Sequence, residues 1–287
     1  MAVQSIPTKD MPEVPVLFTD VKGMRLHYIA TGAGAPLVLL HTLKTQLKIF
    51  APMLPALAAH FSVYAPDYPG HGYSESPDEA YDAPFFSAAI EGFLERLDLQ
   101  NVTLAGISIG GVIALVLAAR HNPRIRRVIS INPYDYGSGL GLARSSLFGW
   151  VVTQSARLPA LGEIVIPRAP QWLVKRVLAG GVVDAGHLPA ELAREIYDTG
   201  NLPGQARAFL RLLRNAKSWP DMQQHYRDIA LPVLLIWSDE DWSRPSERER
   251  TAALIPGVLT KSLPGGHFLS LDRPEELARL IIGFAEP

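Results

Sequence analysis

The apolar residues of this chain fall in short unbroken runs, with segments of helical spacing between them. PLVLLH (36–41), SVYAPD (62–67), NVTLAG (101–106), RVISIN (127–132), PVLLIW (232–237) and VLTKSLP (258–264) are rich in β-branched residues and leucine. Continuous rather than alternating apolarity fits parallel strands covered on both faces. Upstream, VPVLFTDV and MRLHYIATG read as an antiparallel pair around a turn at Lys22-Gly23. Helical periodicity marks 45–60, 84–98, 109–121, 245–255 and 273–285. The last of these opens Asp272-Arg-Pro-Glu-Glu, with the aspartate as cap and the proline in an early helical position. Strands alternating with helices predict an α/β fold with a mostly parallel sheet and right-handed crossovers.

The alternation breaks once. Between Asn132 and Leu231 no good strand is found, and helix-like pieces lie near 144–157, 170–179, 189–198, 204–216 and 221–229. A structureless loop of that length is implausible in a folded domain. The expectation is a helical cap, 135–218, over the C-terminal edge of a core made from 1–134 and 219–287.

Composition narrows the function classes. A chain of 287 residues, 48% hydrophobic and 19% charged with a net charge of −1, carries no electrostatic footprint for nucleic acid or an anionic membrane. It has no cysteine, which removes disulfides, thiolate metal sites and a cysteine nucleophile. MAVQSIPTKDMPEVP lacks a basic region followed by an apolar stretch, and the longest apolar runs are too short for a bilayer. The expectation is a cytoplasmic protein, monomer or homodimer, that acts on a small molecule.

LAGISIGGVIALVLAA (104–119) sets one hydroxyl, Ser108, between an apolar strand and an apolar helix. Serine is a favoured helix N-cap. In the frame Gly106-Ile-Ser-Ile-Gly110 it also fits a nucleophile on a tight strand-to-helix turn. Roughly 0.1 chance copies of Gly-x-Ser-x-Gly are expected in a chain this long, so the strand–helix context carries the weight. A serine nucleophile needs a base, and the base needs an acid. Of the eight histidines, His267 in LPGGHFLSLDRPEEL lies in a Gly-Gly loop after the last strand, at the edge that Ser108 occupies. His71 belongs to a turn, and His41 ends a strand as a hydrogen-bonding residue beside the site. His27, His60, His121, His187 and His225 read as surface or cap residues. PVLLIWSDEDW offers the acid: Asp241 is preferred because the extra residues carry it past the strand end, with Asp239 and Asp135 as rivals.

The order Ser, Asp, His at successive strand ends resembles the α/β-hydrolase superfamily over nearly the whole chain. DYPGHGYSES (67–76) is similar to its turn after the fourth strand, GISIGG to its nucleophile elbow, WSDEDW to its acid loop and GGHF to its histidine loop. The resemblance implies an eight-stranded sheet, a helical cap after strand six, and no metal or organic cofactor. By position it implies Ser108 as nucleophile, His267 as base and Asp241 as the residue that orients it. One stretch departs from the family: HTLKTQLKIF places Thr42 where a glycine is usual, so the oxyanion donors fall to the N–H groups of Leu43 and Ile109. The same stretch resembles the Asn-Ser-Leu-Gly-Thr of the 3-oxoadipate enol-lactonases, with Lys44 in place of the glycine.

Such a triad suits acyl transfer. The expected substrate is a small or medium, largely apolar ester or lactone. Its pocket would draw on His41, Thr42, Lys44, Tyr134, Trp242 and Phe268, with Arg144 also facing polar groups and Trp150 and Trp172 adding apolar surface. The same triad also serves meta-cleavage C–C hydrolases and cofactor-free perhydrolases, and the fold includes ligand receptors and lyases.

Overall fold

The computed structural model describes residues 5–8, 11–137, 141–145 and 147–286, so part of the N-terminal stretch MAVQSIPTKDMPEVP, and Ser146 in the expected 144–157 helix, fall outside the description. The strands are β1 (Ser5–Thr8), β2 (Met11–Val21), β3 (Met24–Thr31), β4 (Ala35–Leu40), β5 (Phe61–Pro66), β6 (Val102–Ile107), β7 (Ile125–Ile131), β8 (Val233–Ser238) and β9 (Leu259–Leu263). They form one sheet in the order β1-β2-β3-β5-β4-β6-β7-β8-β9. The eight expected strands are all present, and the short β1 adds an antiparallel edge beside β2. From β5 to β9 every pairing is parallel.

Why the runs are continuous is visible in the packing. On β4, Leu37 and Leu39 join the apolar layer of Leu54, Leu57, Leu277 and Ile281 on one face. Val38 and Leu40 join Phe86, Phe93, Val112 and Leu115 on the other. Both faces are dry, so both parities must be apolar. The covering helices are α1 (Leu54–Ala58), α2 (Ala83–Arg96), α3 (Ile109–Ala119), α10 (Pro245–Leu254), α11 (Leu269–Asp272) and α12 (Pro274–Ala285). Each fully buried leucine or isoleucine at these contacts contributes about 1.5–3 kcal/mol relative to exposure.

Between β7 and β8 the described residues hold helices and no strand: α4 (Gly141–Ser145), α5 (Leu147–Arg157), α6 (Leu161–Val165), α7 (Gln171–Ala179), α8 (Ala190–Gly200) and α9 (Gln205–Arg214). Among the described residues no helix is long and apolar enough to cross a membrane.

Two predicted helices differ. The segment 45–60 begins as a 3-10 helix, Leu47–Met53, and turns α-helical only from Leu54. Pro52 and Pro55 lack the N–H groups that a continuous α-helix would need. At the C-terminus Pro274 does open α12, but the N-cap position falls to Arg273 and makes no side-chain cap bond. Asp272 does not cap that helix. Its carboxylate accepts from Gly266 N at 2.8 Å and Val183 N at 3.2 Å, and pairs with His187 Nδ1 at 2.7 Å.

The strand order places the site. β4 pairs with β5 on one side and with β6 on the other, so the chain reverses direction across the sheet at β4. Such a switch point opens a crevice at the C-terminal ends of the strands, where ligands bind in open α/β sheets.

Candidate active site

Ser108 follows β6 with φ 60° and ψ −117°, a conformation that L residues avoid. Its side chain makes no capping bond, so the N-cap reading fails. The backbone around it is tied down instead. Ser108 N donates to Ile131 O at 2.9 Å, and its carbonyl accepts from Val112 N and Tyr134 N, both at 3.2 Å. The flanking glycines permit close approach. A Cβ on Gly110 would lie 2.3 Å from Leu40 O, and one on Gly106 would lie 2.2 Å from the Gly110 carbonyl carbon. Ile109 begins α3, so its N–H is one of the first-turn amides that lack an intrahelical acceptor.

His267 sits in the loop after β9, 1% exposed, with Nδ1 2.5 Å from Asp241 Oδ1. Asp241 also accepts from Ser243 N at 2.9 Å and from the Ser243 hydroxyl. Burial would raise this carboxyl, but the His267 and Ser243 contacts outweigh it and hold the group below the usual aspartate range. The Trp242 ring stacks on the imidazole at 4.1 Å and 18°, and the Phe268 ring stands tilted to it at 5.7 Å. His267 Nε2 is buried and has no hydrogen-bond partner among the described residues. With Nδ1–H committed to the carboxylate, Nε2 presents its lone pair.

The rival acids are engaged elsewhere. Asp239 is exposed and accepts from Ser262 Oγ at 3.3 Å. Asp135 is buried under Thr251 Oγ1 at 3.0 Å, and burial pushes it up to about 7.

The loop after β4 is equally constrained. His41 is fully buried and does not reach the cavity wall as expected, because both ring nitrogens are used: Nδ1 donates to Thr42 O at 2.8 Å and Nε2 accepts from Tyr68 N at 3.1 Å. Burial holds its pKa below the usual histidine value, consistent with the neutral ring those contacts require. Thr42 O accepts in addition from Thr45 Oγ1 at 2.8 Å. These bonds fix the backbone that leads into Leu43.

Thr42, Leu43, Lys44, Ser108, Tyr134, Trp242 and Phe268 line one cavity with about 1160 Å³ of empty space, its open mouth included. The helices between β7 and β8 supply most of the rest, among them Val152, Ile166, Leu173, Val177 and Phe209. Trp150 and Trp172 are not in the wall; they are 51% and 64% exposed. Arg144 is spent on a two-pronged pair with Glu247, at 2.7 and 2.9 Å. Lys44 is the one charged residue among the described lining residues, and burial pushes its ammonium down to about 8.

Several supporting residues are not evident from the sequence pattern. Asn132, at the end of β7, donates to Ser238 Oγ and His267 O and accepts from Ser238 N, which ties two strand ends to the histidine loop. An asparagine closing an apolar strand was the available signal. His27, expected at the surface, is 2% exposed and pairs with Asp67 Oδ2 at 2.5 Å. Phe268 N donates to Gly181 O at 2.7 Å, joining the histidine loop to the turn after α7.

Comparison with known proteins gives a consistent picture. The family model described as alpha/beta hydrolase fold matches residues 35–274. A haloalkane dehalogenase of Psychrobacter cryohalolentis is 27% identical, over 91% of this chain and 87% of its own. A 2-hydroxy-6-oxo-2,4-heptadienoate hydrolase of Pseudomonas putida is 26% identical, over 91% and 93%. The crystal structure of an enol-lactonase from Burkholderia xenovorans superposes with a TM-score of 0.71 at 23% identity, over 94% of this chain and all of that one.

Proposed function

The chain belongs to the α/β-hydrolase family and is a hydrolase, and we propose that it cleaves a small or medium, largely apolar ester or lactone through an acyl-enzyme on Ser108. The observation that carries this reading is the buried His267–Asp241 pair, whose unpartnered Nε2 belongs to a ring stacked on Trp242 in the cavity wall that also holds Ser108.

In this mechanism Nε2 takes the Ser108 proton as Oγ attacks the acyl carbonyl. The N–H groups of Leu43 and Ile109 receive the oxyanion, each lowering the barrier by about 3 kcal/mol. The leaving alkoxide takes the proton back from His267. Water then repeats the sequence on the ester to Ser108, giving the acid and free enzyme. Asp241 holds the imidazole in one tautomer and stabilises its charged form.

The dehalogenase relative does not extend its printed activity to this chain. Displacing a halide with a serine hydroxyl leaves an ether, which water does not cleave at this site, whereas displacement by a carboxylate leaves a hydrolysable ester. The Pseudomonas putida relative supports a second reading, cleavage of a C–C bond beside a ketone, in which the same Ser108 and His267 serve.

The test is turnover of short-chain nitrophenyl esters and simple lactones by the protein and by Ser108→Ala. The expected result is turnover that falls at least about a thousandfold in the variant. Binding without turnover in both proteins would point to a receptor and overturn the reading.

A further inference from the structure

Lys44 has no hydrogen bond or ion pair to any described residue, although it borders two cavities. Its neighbours are apolar or neutral. Nζ lies 4.7 Å from the centre of the Phe209 ring, over its face. Gly200, at the end of α8, makes room for it: a Cβ there would come within 2.9 Å of Nζ. The backbone at Lys44 has φ 57°, a cost that a glycine at this position would not incur. Among the described residues neither the wall of the main cavity nor that of the small cavity behind it, next to His71 and Gln205, contains an aspartate or glutamate.

An ammonium in such a place is poorly compensated. A ring face offsets part of the desolvation, but a half-buried cation without a counter-ion still carries a cost. The depressed pKa reports the same strain. A site that keeps one cation and no anion in an apolar chamber is complementary to a ligand with one negative charge. With a single cation and no second basic group in the wall, the charge balances a monoanion.

We propose that Lys44 is the recognition cation of this cavity, and that the substrate carries a carboxylate which pairs with its ammonium while the ester or lactone carbonyl sits at Ser108. This rests on the acyl-transfer reading above and deepens it. The substrate is then amphiphilic: an apolar body against the inserted helices, an acid head at Lys44 and a reactive acyl group between them.

The experiment compares glutarate mono-nitrophenyl ester with its methyl-capped, uncharged counterpart in the wild-type protein, Lys44→Met and Lys44→Gln. Calorimetry of hexanoate and hexanamide, on the same set carrying Ser108→Ala, measures binding apart from turnover. The anionic-to-neutral ratio of kcat/KM should fall at least about tenfold in both variants, the loss of one charge-assisted contact. Hexanoate affinity should fall comparably while hexanamide affinity does not follow it. Because Lys44→Met removes an uncompensated charge, that variant should melt no lower than wild type, and Lys44→Gln gives a second reading of the ratio. A ratio and a hexanoate affinity unchanged within about twofold in the variants overturn the proposal. If neither ester is turned over but hexanoate binding depends on Lys44, the acyl-transfer reading fails and the pairing of Lys44 with a carboxylate alone stands. If turnover depends on Ser108 and the ratio ignores Lys44, the reverse holds.

Discussion

Gly110→Ala tests whether the elbow is set by the approach of α3 to β4. The added Cβ would stand 2.3 Å from Leu40 O, 2.8 Å from Leu40 C and 2.9 Å from His41 O. The nearest of these is about 1 Å short of ordinary contact, and all three are backbone atoms that no rotamer change can move aside. Leu40 is held in register with Gly106 across the β4–β6 pairing, so the helix start must move instead. Overpacking of this kind costs about 1–3 kcal/mol. For a chain of this size that corresponds to a drop of several degrees in Tm, roughly 2–4 °C per kcal/mol. The catalytic effect should be larger, because Ser108 and the Ile109 N–H move with the helix. A displacement near 1 Å at a reacting group costs about a hundredfold in rate. The assay is thermal unfolding beside kcat on a nitrophenyl ester, with Gly283→Ala as the control. Gly283 is exposed on α12 and has nothing within 4 Å of a new Cβ, so alanine there should stabilise by about 0.5–1 kcal/mol. A Gly110→Ala protein with wild-type Tm and kcat would refute the account of why this turn needs glycine.

The remaining predictions concern charge. Asp241→Asn should lower kcat by about ten-thousandfold by releasing the imidazole tautomer, whereas Asp239→Asn should stay within about twofold because that carboxylate faces solvent; steady-state kinetics on one ester decides, and the reverse order would move the orienting role to Asp239. The Lys44 ammonium is depressed to about 8, so the unfolded chain binds the extra proton between that value and the free-lysine range. The penalty for its charge is therefore full below about pH 8 and is relieved as pH rises above it. The Tm advantage of Lys44→Met over wild type should narrow from about pH 7 to pH 10, and a gap that is constant or widens would contradict this. His71, the neighbouring imidazole held at about 3 by burial, does not titrate in that window.

What the sequence disclosed follows from range. Ser108 was legible because its frame is local: a strand, a tight turn and a helix within a dozen residues, with glycine where backbones touch. The strand ends were legible too, since a short unbroken apolar run is what a strand covered on both faces requires, and His267 and Asp241 could be named from their place after those ends. Asn132 and Asp272 were not legible as loop anchors, because apart from Gly266 their partners lie 85 to 135 residues away and leave no periodic trace. The inserted helices were opaque on different grounds. Composition reports that Trp150 and Trp172 are large and apolar but not which way a helix face turns, and both face outward. Arg144 and His41 have the chemistry of available groups, yet each is consumed by a neighbour that only the fold supplies.

The bond from Phe268 N to Gly181 O, together with Val183 N on the Asp272 carboxylate, stitches the segment that carries the imidazole to the insert rather than to the sheet alone. Protein engineers who graft a foreign lid from a cousin onto this scaffold would cut that seam. The chimera would inherit a loosened His267 even if Ser108, Asp241 and His267 were all retained. The turn at 181–183 has to travel with the scaffold, not with the lid.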